Sequence, residues 1–163
     1  MDGRREPIFA ALKALAIEYR LFEHPPVHTG DEAAIHWQAI AGAAVKNLFL
    51  RNKKGDRHYL VILGIDKEAD LRHLVKVIGD DRLSFGSPER LQKYLGVTPG
   101  SVSPLGLIHD STRAVRVIVD SDLRTAERLI FHPNDNTASL TISGSDFQRF
   151  LADRGNSVRW ISL

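Results

Sequence analysis

Lys46, the run Gly100 to Ser103 and His132 are the residues whose types and settings could do chemistry in this chain. The tract Gly96 to Leu107, GVTPGSVSPLGL, holds three glycines and two prolines in twelve residues. Glycine opens backbone angles closed to other residues and proline fixes its own, so the tract cannot continue a helix. Val97, Val102, Leu105 and Leu107 would anchor it to a core rather than leave it as a polar linker. A stiff, partly buried loop of this kind can aim the N–H groups of Gly100, Ser101, Val102 and Ser103 at one point and stabilise a negative oxygen. It can equally be a tight connection without chemistry. Lys46 shares strand parity with Leu48 and Leu50 and so projects toward a buried side. Its ammonium either snorkels to water from a strand end or grips an anion or polar group at a pocket mouth. Asn47, of opposite parity, reaches the same pocket only where the sheet edge bends.

Other chemistries are excluded by what the chain lacks. There is no cysteine, hence no disulfide framework, thiolate nucleophile, Fe–S cluster or Cys-ligated zinc. Seven histidines are present, but none forms H-E-x-x-H, and Pro25-Pro26 between His24 and His28 prevents helical i,i+4 chelation. Three convergent metal ligands are not displayed, so neither metal nor cofactor is expected. His132, between Phe131 and Pro133, reads as a hydrogen-bonded loop histidine or a site residue. Neither Ser101 nor Ser103 sits in a G-x-S-x-G elbow. The loop also lacks P-loop or Rossmann spacing, and Pro99 and Pro104 remove amides those motifs use. Arg51, Lys53, Lys54 and Arg57 make a basic cluster that is either a phosphate contact or a solvated tip. The formal net charge of +2 permits a nucleic-acid partner without demanding one.

Those residues need elements to position them. Pro7 to Ile17 reads as a helix and Tyr19 to Glu23 as a short strand ended by Pro25-Pro26. Thr29 and Glu32 make a capping box for a helix reaching about Ile40. Ala43 to Arg51 and Arg57 to Leu63 are strands of a hairpin joined by Asn52-Lys53-Lys54-Gly55-Asp56. Ala69 to Ile78 is an amphipathic helix, and Ser87-Pro88-Glu89 opens another that ends near Leu95. Val115 to Asp120, Ala126 to Phe131 and Thr137 to Ser143 read as strands. A helix capped by Ser145 then runs to Arg154-Gly155, and Ser157 to Leu163 closes as a strand.

About seven or eight strands and five helices in irregular alternation predict an α+β fold with a mixed, curved sheet. The 163 residues fit one domain over residues 1–163. No apolar run approaches the ~18–20 residues that span a bilayer, and Lys13, Glu18 and Arg20 interrupt any signal-like segment. A soluble, cytoplasmic protein without a membrane partner is expected.

Four stretches together resemble the YbaK/prolyl-tRNA-synthetase editing-domain family, and within it the free-standing alanyl-tRNA(Pro) deacylases. They are HPPVHT at His24 to Thr29, KNLFL at Lys46 to Leu50, PGSVSPLGL from Pro99, and FHPNDNTASL followed by a helix. The G-x-x-x-P loop at Gly100 to Pro104 and the strand lysine, taken together, are the most specific elements. The resemblance implies hydrolysis of the ester joining a wrong amino acid to the terminal adenosine of tRNA(Pro). It implies that Lys46 and the amides of Gly100 to Ser103 act in catalysis. By the same resemblance Lys46 and Asn47 would bind the substrate's 3′ end or amino acid, His132 would help shape the site, and Thr29 would belong to the substrate-binding set. The walls of a methyl-sized pocket fall to Val27, His28, Ile35, Leu48 and Phe85. The tRNA(Pro) acceptor end is the expected partner, with prolyl-tRNA synthetase a candidate one. Relatives acting on cysteinyl-tRNA(Pro) or other small residues leave the amino acid open. A non-catalytic tRNA- or synthetase-binding module is the alternative class.

Overall fold

The computed structural model describes residues 3–26 and 40–163. The expected helix opened by Thr29 and Glu32, and the expected site residues Val27, His28, Thr29 and Ile35, lie outside the described residues. Within them the chain forms α1 (Glu6–Ala14), β1 (Arg20–Glu23), β2 (Ala43–Arg51), β3 (His58–Gly64), α2 (Leu71–Ile78) and β4 (Ser84–Phe85). After these come α3 (Pro88–Leu95), a 3-10 turn (Pro104–His109), β5 (Val115–Asp120) and a second 3-10 turn (Ser121–Thr125). The chain ends with β6 (Arg128–Phe131), β7 (Ala138–Ser143), α4 (Gly144–Arg154) and β8 (Val158–Ile161).

Local chemistry sets the helix ends. Asp70 caps α2, accepting from the Arg72 amide at 3.0 Å, and Ser87 caps α3, accepting from the Arg90 amide at 3.2 Å. Proline at the first turn of α1 and α3 replaces an N–H that would have no helical partner. The cap of α4 is a correction: Ser143, not Ser145, accepts from the Asp146 amide at 3.1 Å. The helix starts earlier because the Gly144 amide is drawn to the Glu127 carbonyl at 2.8 Å, tying α4 to the start of β6.

The eight strands make one mixed sheet in the order β1-β7-β6-β2-β3-β5-β8, with β4 attached to β2. β2 and β3 are the expected antiparallel hairpin, while β3–β5, β5–β8 and β2–β6 run parallel. The alternation of β2 serves two apolar layers. Val45 and Phe49 join the main core with residues of α1, α3, α4 and the Pro104–His109 turn. Leu50 joins Tyr59, Val61 and Leu63 beneath Leu74 and Ile78 of α2. Ala44 packs with Ile130, Ile40 and Ile65 on that same side. Both faces of this strand are therefore covered, which matters for the site below.

At the head of β3 the buried His58 ring stacks on Phe49 with centroids 5.6 Å apart, and its Nε2 accepts from the Arg90 guanidinium at 2.8 Å. Burial, then the nearby Arg90, Arg51 and Lys93 charges, lower its pKa to about 4. The unfolded chain takes up this proton near the ordinary imidazole value of about 6.5, whereas the folded chain refuses it. Stability from the neutral ring is thus complete above about pH 6.5 and drains as pH falls toward 4. His58→Gln, which keeps an acceptor for Arg90, is expected to make that acid slope shallower in melting temperature measured against pH.

Candidate active site

The site is organised by an interruption beside β2. On one side β2 pairs with β3 continuously from Val45 to Arg51. On the other side β6 pairs only at Ala43 and Ala44, and β4 only at Leu50 and Arg51. Among the described residues, Val45 to Leu48 therefore have a strand neighbour on the β3 side alone, and half-buried Lys46 and Asn47 border the opening. Carrying the parallel register of Ala44 opposite Ile130 two residues further brings Lys46 level with His132, where β6 has ended.

The glycine-proline loop approaches from the main-core face. Asn47 Nδ2 donates to the Val102 carbonyl at 3.3 Å, and its Oδ1 is buried without a hydrogen-bond partner among the described residues. Lys46, one residue away on an unbroken ladder, projects to the opposite face with Leu48 and Leu50. Asn47, expected at the pocket only where the sheet edge bends, is the residue that meets the loop, while Lys46 turns to the other face. The loop is anchored as its apolar residues require, with Val97, Leu105 and Leu107 buried and Val102 packed against the core.

The four loop residues divide by use. The Ser101 amide closes a turn on the Thr98 carbonyl at 3.1 Å. The Ser103 hydroxyl accepts from the Leu105 amide at 3.2 Å and caps the 3-10 turn begun by Pro104. Ser101 thus contributes no spare amide, and the Ser103 hydroxyl has one acceptor position committed to the turn. Among the described residues no hydrogen bond engages the amides of Gly100, Val102 and Ser103. Gly100 lies at φ +91°, in the left-handed region where a side chain is disfavoured.

His132 is 8% exposed, and its Nδ1–H donates to the Ala138 carbonyl at 3.0 Å. A carbonyl can only accept, so this contact fixes the tautomer and leaves Nε2 as an acceptor. Burial lowers the pKa, and the Ala138 contact opposes it only in part, so the ring is neutral at physiological pH. The His24 ring meets it edge-on at 6.3 Å between centroids and contacts the Ser139 hydroxyl at 2.8 Å through Nε2.

A buried clamp holds the loop between His132 and Ala138. Asp135 is fully buried and accepts from Arg5 Nε at 2.5 Å, from the Thr137 amide at 2.6 Å and from the Thr137 hydroxyl at 2.5 Å. Arg5 also donates to Glu23 at 2.8 Å and to the Thr137 hydroxyl at 2.7 Å. Burial pushes the Asp135 carboxyl upward, but the Arg5 and Thr137 hydrogen bonds together outweigh it and hold the net shift downward. Asn134 beside it is fully buried at φ 61°, and neither atom of its amide has a hydrogen-bond partner among the described residues.

A family model for the aminoacyl-tRNA editing domain matches residues 24–150. The chain belongs to that family. The prolyl-tRNA editing protein ProX of Acetoanaerobium sticklandii is 41% identical over 163 residues, covering 100% of this chain and 99% of its own. Prolyl-tRNA synthetase associated domain-containing protein 1 of Bos taurus is 35% identical over 149 residues, 89% of this chain and 86% of its own. A solved structure described as a candidate trans-editing enzyme for prolyl tRNA synthetase superposes with a TM-score of 0.74 at 22% identity, over 100% of this chain and 99% of that one. That last likeness concerns the fold.

Within this editing domain the remaining expected residues separate clearly. Leu48 is half-buried on the Lys46 face. Phe85 is 61% exposed, so it stands out to solvent instead of walling a small pocket. Of the basic hairpin, Arg51 donates back to the Asn52 and Lys53 carbonyls. Arg57 grips Asp80 at 2.8 and 2.6 Å, which holds that carboxyl well below the carboxylate range. These two cations are spent inside the fold, while Lys53 and Lys54 are exposed. Among the described residues no helix is long and apolar enough to cross a membrane, and no group of three potential ligands could hold a metal ion.

Proposed function

We propose that this editing domain works in trans on tRNA(Pro) mischarged with alanine, the ester lying in the opening beside Lys46 and Asn47. The observation that carries the reading is the gap in strand pairing beside Val45 to Leu48, bordered by Lys46 on one face and, on the other, by Asn47 holding the Val102 carbonyl of the glycine-proline loop. An aminoacyl ester is already activated, so its hydrolysis needs a placed water and donors for the developing oxyanion more than a nucleophile. The amides of Gly100, Val102 and Ser103 are the donors, and removal of one such donor typically costs about 3 kcal/mol of barrier. Lys46 binds a polar group of the acceptor end, and the neutral His132 ring helps shape the site.

Selection follows size. A synthetase pocket built for proline rejects alanine weakly, since each lost methylene is worth only about 1–3 kcal/mol. A second pocket that admits a methyl group and excludes a pyrrolidine ring removes the error and spares the correct product. Prolyl-tRNA synthetase is then the enzyme whose mistakes are corrected, and docking onto it would shorten the search.

The deciding experiment is a panel of Ala-, Cys-, Ser- and Pro-tRNA(Pro). Alanine release with Pro-tRNA(Pro) intact is expected. Lys46→Ala should lower kcat/KM at least ten-fold, the order of a lost charged hydrogen bond, with the fold retained. Preference for cysteine or serine would reassign the amino acid, and tRNA binding without release of any would establish a binding module. A chelator is expected to leave the rate unchanged, and loss of activity restored by zinc would defeat the metal-free mechanism.

A further inference from the structure

Phe85 and Leu21 are the exposed large hydrophobic residues among those described, and Phe85, at 61%, is the more exposed. It is also held rigidly. Ser84 and Phe85 pair with Arg51 and Leu50 of β2, and the Gly86 amide donates to the Phe49 carbonyl at 2.9 Å. Gly86 lies so close to the Phe49 ring that a Cβ there would come within 2.5 Å of it. Leu83 before the strand is buried, and Ser87 after it caps α3. The backbone under Phe85 is therefore fixed on both sides, although its ring covers nothing in the core.

Phe85 lies opposite Leu50, so it shares the sheet face of Lys46 and Leu48. Four residue steps along β2 lead from Lys46 to Leu50, about 13 Å at the usual strand rise. That is too far for a wall around the amino acid and suits a nucleotide beyond the esterified ribose. Exposed Lys53 and Lys54 follow Arg51, the strand partner of Ser84, and exposed Arg82 precedes β4, with exposed Asp81 and Glu89 in the same segments; Asp81 is occupied by the Lys53 amide at 2.9 Å. A fixed aromatic surface among cations is what an unpaired base with its phosphates recognises.

We infer that Phe85 is a stacking platform for a base of the single-stranded 3′ end of the tRNA, next to the terminal nucleotide. This rests on the deacylase reading for its substrate. The ring stacks on the base face while Lys53, Lys54 and Arg82 meet the adjoining phosphates. The contact is made equally in the ground and transition states, so it acts on binding and not on the chemical step.

Two measurements separate this inference from the reading it rests on. In the first, an uncharged acceptor minihelix carrying its single-stranded 3′ end is titrated by fluorescence anisotropy, which needs no hydrolysis. Phe85→Ala should weaken binding roughly ten-fold or more, Phe85→Trp should preserve it, and Phe85→Leu should behave like alanine because it lacks a π-face. An abasic nucleotide before the terminal adenosine should weaken wild type by a similar factor and add little to Phe85→Ala. In the second, Phe85→Ala should raise KM for Ala-tRNA(Pro) with kcat unchanged. Equal binding by wild type and Phe85→Ala, full rescue by leucine, or additive losses from the variant and the abasic substrate would overturn the stacking role. An inactive wild type that still showed the aromatic requirement would defeat the deacylase reading and leave the platform standing.

Discussion

Arg5→Ala is expected to destabilise the protein by about 3–5 kcal/mol, because it strands a buried carboxylate. Asp135 has no exposed surface, and the Arg5 side chain is 13% exposed. Surface ion pairs are worth about 0–1 kcal/mol, but that range belongs to charges that return to water when separated. Asp135 cannot return to water; only the two Thr137 contacts would remain to oppose its desolvation. For a chain of this size such a loss lowers the melting temperature by about 10 °C. The acid response fixes the sign. In the wild type the depressed Asp135 contributes stability above the unfolded carboxyl pKa, lost as pH falls through its folded value. Without Arg5 the carboxyl rises and becomes a penalty that protonation relieves. The gap between wild type and variant should therefore shrink from pH 7 toward pH 4 in urea unfolding. Adding Asp135→Asn to Arg5→Ala should restore part of the stability at pH 7, since the amide carries no charge to bury. A gap that stays constant with pH, or an Asn double variant no better than Arg5→Ala, would show that the clamp is not electrostatic.

The clamp also marks what the sequence could convey. The β2–β3 hairpin, the start of α3 at Ser87-Pro88 and the anchored loop from Gly96 are local patterns of alternation, capping and punctuation, and all were legible. Arg5 and Asp135 are 130 residues apart and give no local sign of each other. The same holds for Arg57, which reads as a surface cation until the fold brings Asp80 to it. β4 is two residues long, too short to have a period. The side on which the loop meets β2 was hidden for a different reason. Parity places Lys46 with Leu48 and Leu50 correctly, but β2 has apolar layers on both faces, so knowing the face does not tell which one meets the loop. The orphaned Oδ1 of Asn47 and the buried amide of Asn134 emerge only with the packing around them.

The second large effect comes from a single methyl group. A Cβ on Gly106 would lie 2.7 Å from the Leu95 carbonyl oxygen and 3.0 Å from Leu95 Cβ, where the 3-10 turn crosses the end of α3. Neither neighbour is the far end of a flexible chain, so Gly106→Ala must push the turn away from the helix. Overpacking of this kind costs about 1–3 kcal/mol. The turn begins immediately after Ser103, whose carbonyl accepts from the Gly106 amide at 3.0 Å, so displacement carries the loop amides with it. A shift on the order of 1 Å in groups that position a reaction can cost about 100-fold in rate. Gly144→Ala is the comparison. Its Cβ would sit 2.1 Å from the Ala126 carbonyl oxygen, a worse clash, at the opposite end of β6 from His132. Both variants should melt earlier than wild type. Assayed well below both midpoints, Gly106→Ala should lose about 100-fold in kcat/KM for Ala-tRNA(Pro), while Gly144→Ala stays within a few-fold of wild type. Equal losses from the two would mean that activity follows global stability and that the loop amides hold no special position.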